Sequence, residues 1–206
     1  MGRWLDILFP PRADEVALRG VSNDAFIALI APRMTLKTHP GTVTLLPFSV
    51  VPVRAVLHEA KYHGSEKAFA LLSAVLAEYL RDADEAGRTT PSVSLVPMPL
   101  GTQRRKERGY NQVEEIANRT LRELDGITID TTLLARTRET ASQVSLPRKK
   151  REENMRGAFG TTRLADSAST YILLDDVLTT GATLQAAIDT LAAAGAVHII
   201  PLALAH

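Results

Sequence analysis

The sequence predicts an α/β fold with a mostly parallel, twisted sheet and helices on both of its faces. Three short runs are apolar and strand-like, at residues 93–96, 171–174 and 197–204. Segments with apolar residues at helical spacing lie between them, at residues 111–124 and 181–194. Because strands that alternate with helices usually pair in parallel and are covered on both faces, this order predicts the layered architecture.

The composition limits the classes of protein that the chain can form. Its 206 residues suit one domain with a short appendage, and 45% apolar with 23% charged residues is typical of a soluble globular protein. The net charge of +1 provides no overall field that would attract nucleic acid or an anionic membrane. The absence of cysteine excludes disulfides, thiolate nucleophiles and zinc sites built from cysteine.

The first 48 residues differ from the rest by their scattered prolines and glycines, and we expect them to be largely irregular apart from a short helix at residues 24–30. We therefore predict an N-terminal appendage at residues 1–48 and one domain at residues 49–206. The apolar patch at residues 5–9 is too short for a signal peptide, and no run approaches the ~20 apolar residues that cross a bilayer. These features predict a soluble, cytoplasmic protein without a membrane partner.

The first elements of the domain follow from the spacing of its apolar residues. Helical stripes begin at Val53 and continue to Leu80, and glycine and proline break the chain at residues 87–91. The β-branched run at residues 93–96 then predicts a buried strand that leads into a proline-constrained loop.

The later elements include one long connection. The helix at residues 111–124 is followed by a predicted strand at residues 127–134. Residues 137–157 are polar and long for a connection inside a domain, which is typical of a functional or mobile loop. Gly195 is placed to end the helix that precedes the last strand.

The most informative stretch is residues 171–183, Tyr-Ile-Leu-Leu-Asp-Asp-Val-Leu-Thr-Thr-Gly-Ala-Thr. A buried strand delivers Asp175 and Asp176 to the carboxyl edge of the sheet, which is where open α/β folds bind ligands. The two carboxylates suit hydroxyl donors, such as those of a ribose, rather than an anion.

The turn that follows the two carboxylates suits a phosphate. It enters a helix, whose first N–H groups and dipole favour an anion. Gly181 allows close approach of the backbone, and Thr179, Thr180 and Thr183 add hydroxyl donors. A plain strand-end turn with a helix cap is the alternative interpretation, but it leaves the ordered combination unexplained.

This stretch resembles the motif by which type I phosphoribosyltransferases bind phosphoribosyl pyrophosphate (PRPP). The resemblance implies the type I phosphoribosyltransferase fold, with the N-terminal appendage as part of its hood. It also implies that Asp175 and Asp176 contact the ribose hydroxyls, and that Mg²⁺ is held mainly by the substrate and also by these two residues. The 5′-phosphate would be held by Thr179, Thr180, Gly181, Ala182 and Thr183.

The flanking segments are similar to the ComF/GntX-like branch of that family, a group linked to DNA uptake and competence in bacteria. The similarity covers most of residues 50–206. Its motifs are Val96-Pro97-Met98-Pro99-Leu100, Arg104, Arg108-Gly109-Tyr110-Asn111-Gln112, Arg136-Thr137-Arg138-Glu139-Thr140 with Gln143, Arg151 with Asn154 and Arg156-Gly157-Ala158-Phe159, and Lys61-Tyr62 with Gly64. The N-terminus departs from the branch, because Ala13 stands where many relatives begin a four-cysteine zinc ribbon that this chain cannot form.

Basic residues supply the candidates for pyrophosphate binding. Arg104 and Arg108 follow a strand-end loop, and their guanidinium groups suit phosphate oxygens; a solvated charge run is the alternative. Lys61 joins them through the family resemblance alone. Three further arginines are assigned to the predicted mobile loop: Arg136, Arg151 and Arg156. The run at residues 148–151 has three readings, namely a solvated loop, a gate over the reacting centre or a nucleic-acid contact.

The spacing of the histidines in the sequence predicts no zinc site. His58, Glu59 and His63 approach the metalloprotease pattern, but five residues separate the histidines. On a helix this spacing places the rings about 140° apart, so we expect no zinc ion to take both.

Three functional hypotheses remain open. The first is an enzyme of nucleotide metabolism that transfers a phosphoribosyl group from PRPP to an unidentified nitrogen acceptor and releases pyrophosphate. The second is a non-catalytic PRPP or nucleotide-binding module, and the third is a competence protein that contacts DNA or the DNA-uptake machinery. The sequence leaves the acceptor and the oligomeric state open, with a dimer among the alternatives.

Overall fold

The computed structural model describes residues 12–85, 92–138, 155 and 157–206. The strands in these ranges are β1 (Arg33–Thr35), β2 (Thr42–Leu46), β3 (Val93–Pro97), β4 (Ile127–Ile129), β5 (Leu134–Arg136), β6 (Phe159–Thr161), β7 (Thr170–Val177) and β8 (His198–Ala205). The helices are α1 (Ala13–Arg19), α2 (Asn23–Ile27), α3 (Val51–His63), α4 (Glu66–Glu85), α5 (Thr102–Arg108), α6 (Gln112–Thr120) and α7 (Ala182–Ala193).

The main sheet of the described residues has six strands in the order β1-β2-β8-β7-β3-β4. All neighbours in it pair in parallel except β1 and β2, which form an antiparallel pair at one edge. The long strands β7 and β8 are central, with Leu174 of β7 opposite Leu202 of β8. Strands β5 and β6 form a separate antiparallel pair. The predicted α/β class with a mostly parallel sheet is confirmed.

The alternation of side chains along β7 explains why both faces of the sheet are covered. Successive side chains of a strand point to opposite faces. Ile172 and Leu174 accordingly join a core cluster with residues of α3, α4 and α6, whereas Tyr171 and Leu173 join a second cluster with residues of α7. An apolar strand that is buried on both faces is typical of parallel sheets, as the sequence predicted.

The ends of three helices position the site. Helix α3 ends at Gly64, whose left-handed backbone (φ 60°) terminates the helix directly after Lys61 and its neighbours. Helix α6 begins after Asn111, whose side-chain oxygen accepts a hydrogen bond from the backbone N–H of Val113. Helix α7 begins after Gly181, which is also left-handed with φ 82°.

Two expectations about elements are wrong. Residues 12–48 are not largely irregular, because they form two helices and the β1-β2 pair, and β2 is paired in parallel with β8. Residues 127–134 do not form one strand, because Asp130 accepts hydrogen bonds from the backbone N–H groups of Thr132 and Leu133 and bends the chain between β4 and β5. The boundary at residue 48 between appendage and domain stays a prediction.

The structure also bears on two further expectations. No helix in the described ranges is long and apolar enough to span a bilayer. Most of the predicted loop at residues 137–157 lies outside the described residues.

Candidate functional site

The two aspartates lie within the last residues of β7 rather than after it. Both line a cavity of about 760 Å³ at the carboxyl end of the sheet. Each carboxylate is fixed by the backbone that follows it, because Asp175 Oδ1 accepts from the N–H of Asp176 at 2.9 Å and Asp176 Oδ1 accepts from that of Val177 at 2.8 Å. The carboxylates therefore hold defined positions at the edge where α/β folds bind ligands.

The turn between β7 and α7 is held closely against another part of the chain. A Cβ atom on Gly181 would lie 2.7 Å from the carbonyl oxygen of Lys37, so that only glycine fits at this left-handed position. Lys37 Nζ donates in turn to the carbonyl oxygen of Thr179. The backbone N–H of His39 donates to Gln185 Oε1 of α7 at 2.7 Å, and this contact anchors the same segment to the helix.

The turn carries polar groups that suit an anion. The first N–H groups of a helix have no partner inside the helix, and α7 presents them here with the positive end of its dipole. Thr179 and Thr183 line the cavity. The hydroxyl of Thr180 is buried and has no hydrogen-bond partner in the described part of the chain. A buried hydroxyl without a partner is costly, and a bound phosphate is one group that would satisfy it.

The charges of the aspartate pair are set by burial and by two partners of Asp176. Lys61 Nζ lies 3.1 Å from Asp176 Oδ2, and Gln112 Nε2 donates to the same oxygen at 2.9 Å. Burial opposes ionisation of Asp176, but the Lys61 ammonium and these hydrogen bonds outweigh it and lower the pKa of Asp176.

Asp175 is shifted in the opposite direction. Burial, and next the neighbouring Asp176 carboxylate, raise the pKa of Asp175 to about 8. At neutral pH the pair therefore carries one negative charge and one shared proton, because two like charges in contact cannot both ionise.

Gln112 connects the aspartates to the opposite wall of the cavity. Its side chain is almost fully buried; its Oε1 accepts from Arg108 at 3.1 Å while its Nε2 donates to Asp176. The guanidinium of Arg108 lies 5.2 Å from the centroid of the Tyr62 ring, within cation–π distance. Arg108, Gln112 and Asp176 thus form a continuous polar chain across the cavity.

The cavity brings together most of the predicted site residues. Its lining includes eight of them: Lys61, Arg104, Arg108, Arg136, Asp175, Asp176, Thr179 and Thr183. Thr180, Gly181 and Ala182 lie in the turn but do not line the cavity. Arg136 lies in β5, with its guanidinium 5.5 Å from the centroid of the Phe159 ring. Arg151, Arg156 and the basic run at residues 148–151 lie outside the described residues.

Four residues of the site had no role assigned from the sequence. Gln112 and Tyr62 belonged to the family-like motifs, which was a signal that could have found them. Lys37 and His39 had no signal, because they reach the turn only through the pairing of β2 with β8.

The predicted absence of a zinc site at His58 and His63 stays a prediction, but the structure does not support the angular argument for it. Their ring centroids are 5.6 Å apart, and a ligand atom of each lies within 4.8 Å of the others and of one from Glu59. The two rings approach each other despite the five-residue spacing, and Nε2 of His63 also lies 3.9 Å from Glu59 Oε1. The prediction of no zinc site therefore loses its geometric basis.

Fold and cavity define the class of protein: an α/β protein with a mostly parallel sheet and a cavity beside an acidic pair at the carboxyl edge. No protein-family profile matches the chain. It is 32% identical over 133 residues to proteins named DNA utilization protein YhgH from Escherichia coli (strain K12) and Salmonella typhi, an overlap of 64% of this chain and 57% of each relative.

A further relative carries a competence name. The chain is 27% identical over 157 residues to Competence protein F of Haemophilus influenzae, an overlap of 73% of this chain and 67% of the relative. The chain spans 57% of the length of the YhgH proteins that it matches. These similarities support the resemblance to ComF-like proteins.

Proposed function

We propose that the chain has the type I phosphoribosyltransferase fold, binds PRPP and transfers its phosphoribosyl group to a nitrogen acceptor. One observation carries the proposal: the turn at the start of α7, through Thr179 and Thr183, and the acidic pair line one cavity that also contains Lys61, Arg104 and Arg108. A sugar phosphate with a free diol and a second anionic group matches these three sets of groups.

Each part of PRPP has a counterpart in the cavity. The 5′-phosphate would accept from the N–H groups and hydroxyls of residues 179–183. The ribose hydroxyls would bind Asp175 and Asp176, and the pyrophosphate would lie toward the cations of the opposite wall. Since Lys61 is paired with Asp176, pyrophosphate binding would draw Lys61 toward the anion while a ribose hydroxyl takes its place on the carboxylate.

The donor set at the end of β7 fits Mg²⁺. Mg²⁺ prefers oxygen ligands and is usually held by one or two carboxylates together with substrate phosphates, and Asp175 and Asp176 offer such oxygens. When bound, the ion would neutralise charge on the leaving pyrophosphate.

The residues of the chain would act by positioning and by charge neutralisation. The turn and the aspartates fix the ribose, so that C1 faces the cavity while the bond from C1 to the pyrophosphate oxygen breaks. Lys61, Arg104 and Arg108 stabilise the negative charge that develops on the leaving group. The nitrogen acceptor would enter from the side of Phe48, Leu57 and Tyr62, where the lining becomes apolar and aromatic.

The test is calorimetric titration of PRPP with Mg²⁺ into the wild-type protein and into Asp175→Ala/Asp176→Ala. We expect the double variant to lose PRPP binding. Asp125→Ala is the control: Asp125 is an exposed aspartate that is distant in sequence from Asp175 and Asp176, and this variant should bind PRPP like the wild type. Wild-type-like binding by the double variant would contradict the site.

A second experiment separates transfer from binding alone. The protein is incubated with Mg²⁺, PRPP and a panel of bases and amines, and released pyrophosphate is measured. Release that requires an acceptor supports the transferase. Binding without release with any acceptor would indicate a non-catalytic PRPP or nucleotide-binding module.

The names of the relatives favour a role in competence or DNA use as a second candidate function. If the chain itself contacts DNA, binding should weaken steeply with salt and should be lost when the basic residues at 148–151 are neutralised. Absent or salt-insensitive binding would restrict any such role to partners in the DNA-uptake machinery.

A further inference from the structure

We propose that His58, Glu59 and His63 bind a divalent transition metal ion, with Zn²⁺ as the best chemical match, at the outer edge of the cavity. All three residues lie in the second half of α3, and one ligand atom of each lies within 4.8 Å of the others. The site is separate from the Mg²⁺ position at the end of β7 and goes beyond the proposed transferase function.

The ligand atoms lie within 4.8 Å of one another, somewhat farther apart than in a formed site. Bonds of about 2.0–2.2 Å in tetrahedral geometry place neighbouring ligand atoms roughly 3.3 Å apart. His63 Nε2 and Glu59 Oε1 are 3.9 Å apart. Because both histidines are exposed enough to rotate, a small change in their side-chain torsions would bring the three atoms onto one ion.

A second layer of contacts already orients two of the ligands. His58 Nδ1 lies 3.0 Å from Asp14 Oδ2, and a proton donated from Nδ1 to this carboxylate would leave the Nε2 lone pair for the ion. Glu59, which is nearly buried, receives two hydrogen bonds from Arg12 on Oε1 and one on Oε2. A carboxylate behind a histidine ligand and a donor behind a carboxylate ligand are the usual outer contacts of metal sites.

The ligand types select the class of metal. Two imidazoles with one carboxylate form a known zinc set, whereas Mg²⁺ and Ca²⁺ prefer oxygen ligands only. Three protein ligands would leave one position for water or for a donor atom of a small molecule. Since His58 and Asp14 also line the cavity, that position would lie toward the same space as Asp176.

The rival explanation is an ion-pair network that ties α1 to α3 without a metal. Arg12 binds both oxygens of Glu59, and an ion on Oε1 would compete with part of that contact. The two explanations differ in a measurable way, because the network needs no ion, whereas the metal site binds one ion per chain that both histidines hold.

The experiment uses the full chain, freed of metal with a chelator. Zn²⁺ binding is measured by calorimetry, and Co²⁺ is added as a spectroscopic probe, because tetrahedral Co²⁺ with nitrogen ligands gives strong visible absorption. We expect one ion per chain. We expect His58→Ala and His63→Ala each to weaken Zn²⁺ binding at least about 100-fold, and Asp14→Asn, an outer contact, to weaken it about tenfold.

His198→Ala is the matched control, because His198 is an exposed histidine on β8, away from the cluster, and its removal should leave Zn²⁺ binding unchanged. Circular dichroism checks that each variant is folded. Two results would overturn the proposal: no uptake of Zn²⁺ or Co²⁺ by the wild type, or equal affinity in the wild type, His58→Ala and His63→Ala. Neither readout depends on PRPP.

Discussion

The two walls of the cavity are built in different ways. One wall is the end of β7 with the turn into α7, and all its functional groups lie within residues 175–183. The other wall takes its groups from three helices: Lys61 from α3, Arg104 and Arg108 from α5, and Gln112 from α6. The first wall is specified by one continuous stretch of sequence, whereas the second exists only when the helices pack.

The walls also differ in burial, and this difference separates their effects on stability and binding. The turn is closely packed on the backbone of Lys37, and Asp176 is 9% exposed. The opposite wall is more open at Lys61, whose side chain is 32% exposed, and along α5, which has no buried residue, whereas Gln112 in this wall is buried. Changes in the first wall should therefore affect folding and ligand binding together, whereas changes in the second should affect mainly the ligand.

The largest effect is expected for Gly181→Ala. Its methyl group would lie 2.7 Å from the Lys37 carbonyl oxygen, and its backbone has φ 82°, so the turn must move. We expect PRPP binding to weaken at least about 100-fold, and the free energy of unfolding to fall by about 2–3 kcal/mol. Calorimetry and urea denaturation measure the two quantities.

Gly126→Ala is the matched control, because Gly126 also has a left-handed backbone (φ 79°) but nothing lies within 4 Å of an added Cβ atom. It should lose only about 1 kcal/mol from backbone strain and should keep PRPP binding. If Gly181→Ala bound PRPP like Gly126→Ala, close packing of the turn would not be what forms the phosphate site.

Lys61→Met tests the contact that joins the walls. Removing the ammonium leaves Asp176 without its cation. We therefore expect PRPP binding to weaken roughly 30-fold and the free energy of unfolding to fall by about 1–2 kcal/mol at pH 7. This loss is smaller than for a fully buried ion pair because Lys61 is partly exposed. Because Lys61 lowers the pKa of Asp176, this loss of stability should disappear at acid pH, where the carboxylate is protonated in both states.

Urea denaturation across pH measures this loss, and Lys106→Met, an exposed lysine on α5, serves as its control. A loss of stability for Lys61→Met that does not shrink as the pH falls below the folded-state pKa of Asp176 would show that the charge on Asp176 is not its cause.

Asp175→Asn tests the shared proton of the first wall. The pKa of Asp175 is about 8 in the folded protein, above its usual 3.8, so the folded state holds this proton more tightly and stability is lost as pH rises from 4 to 8. The neutral amide removes this loss. We expect the variant to be more stable than the wild type by about 2 kcal/mol near pH 8, after allowing for solvent screening, and equally stable near pH 4.

Chemical denaturation at several pH values, with Asp125→Asn as the exposed control, measures this dependence. Parallel stability curves for the wild type and Asp175→Asn would mean that Asp175 titrates normally.

The smallest effect is expected in the open wall, for Arg104→Gln. Loss of one partly solvated guanidinium should weaken PRPP binding about tenfold and leave the unfolding free energy within about 0.5 kcal/mol. Arg105→Gln is the control on the same helix, because Arg105 pairs with Glu114 and lines a separate cavity. Equal losses for the two variants would show a general effect of charge instead of a site on one face of α5.

The same contrast explains what the sequence could predict. The strand, turn and helix of residues 171–183 were predictable because an apolar run, an acidic pair and a glycine turn are local signals. Lys37 was not assigned to the site because it reaches the turn through a contact between distant segments, and Gln112 belonged to a family-like motif that gave no indication of its contact with Asp176. The β1-β2 pair was missed because its strands are short and are stabilised by pairing with β8. The His58 and His63 argument failed because helical angles describe backbone directions and not the reach of long side chains.

The contact between Lys37 and the turn also decides how freely the N-terminal part could be exchanged. Residues 12–48 supply an edge of the sheet and the backbone against which Gly181 is packed. A variant that began at residue 49 would leave β8 without a neighbour on one side and would release the turn between β7 and α7. If residues 12–48 were replaced by the corresponding segment of a relative, the loop around Lys37 would have to keep the shape that Gly181 requires. The N-terminal part and the rest of the domain are therefore not independently replaceable modules.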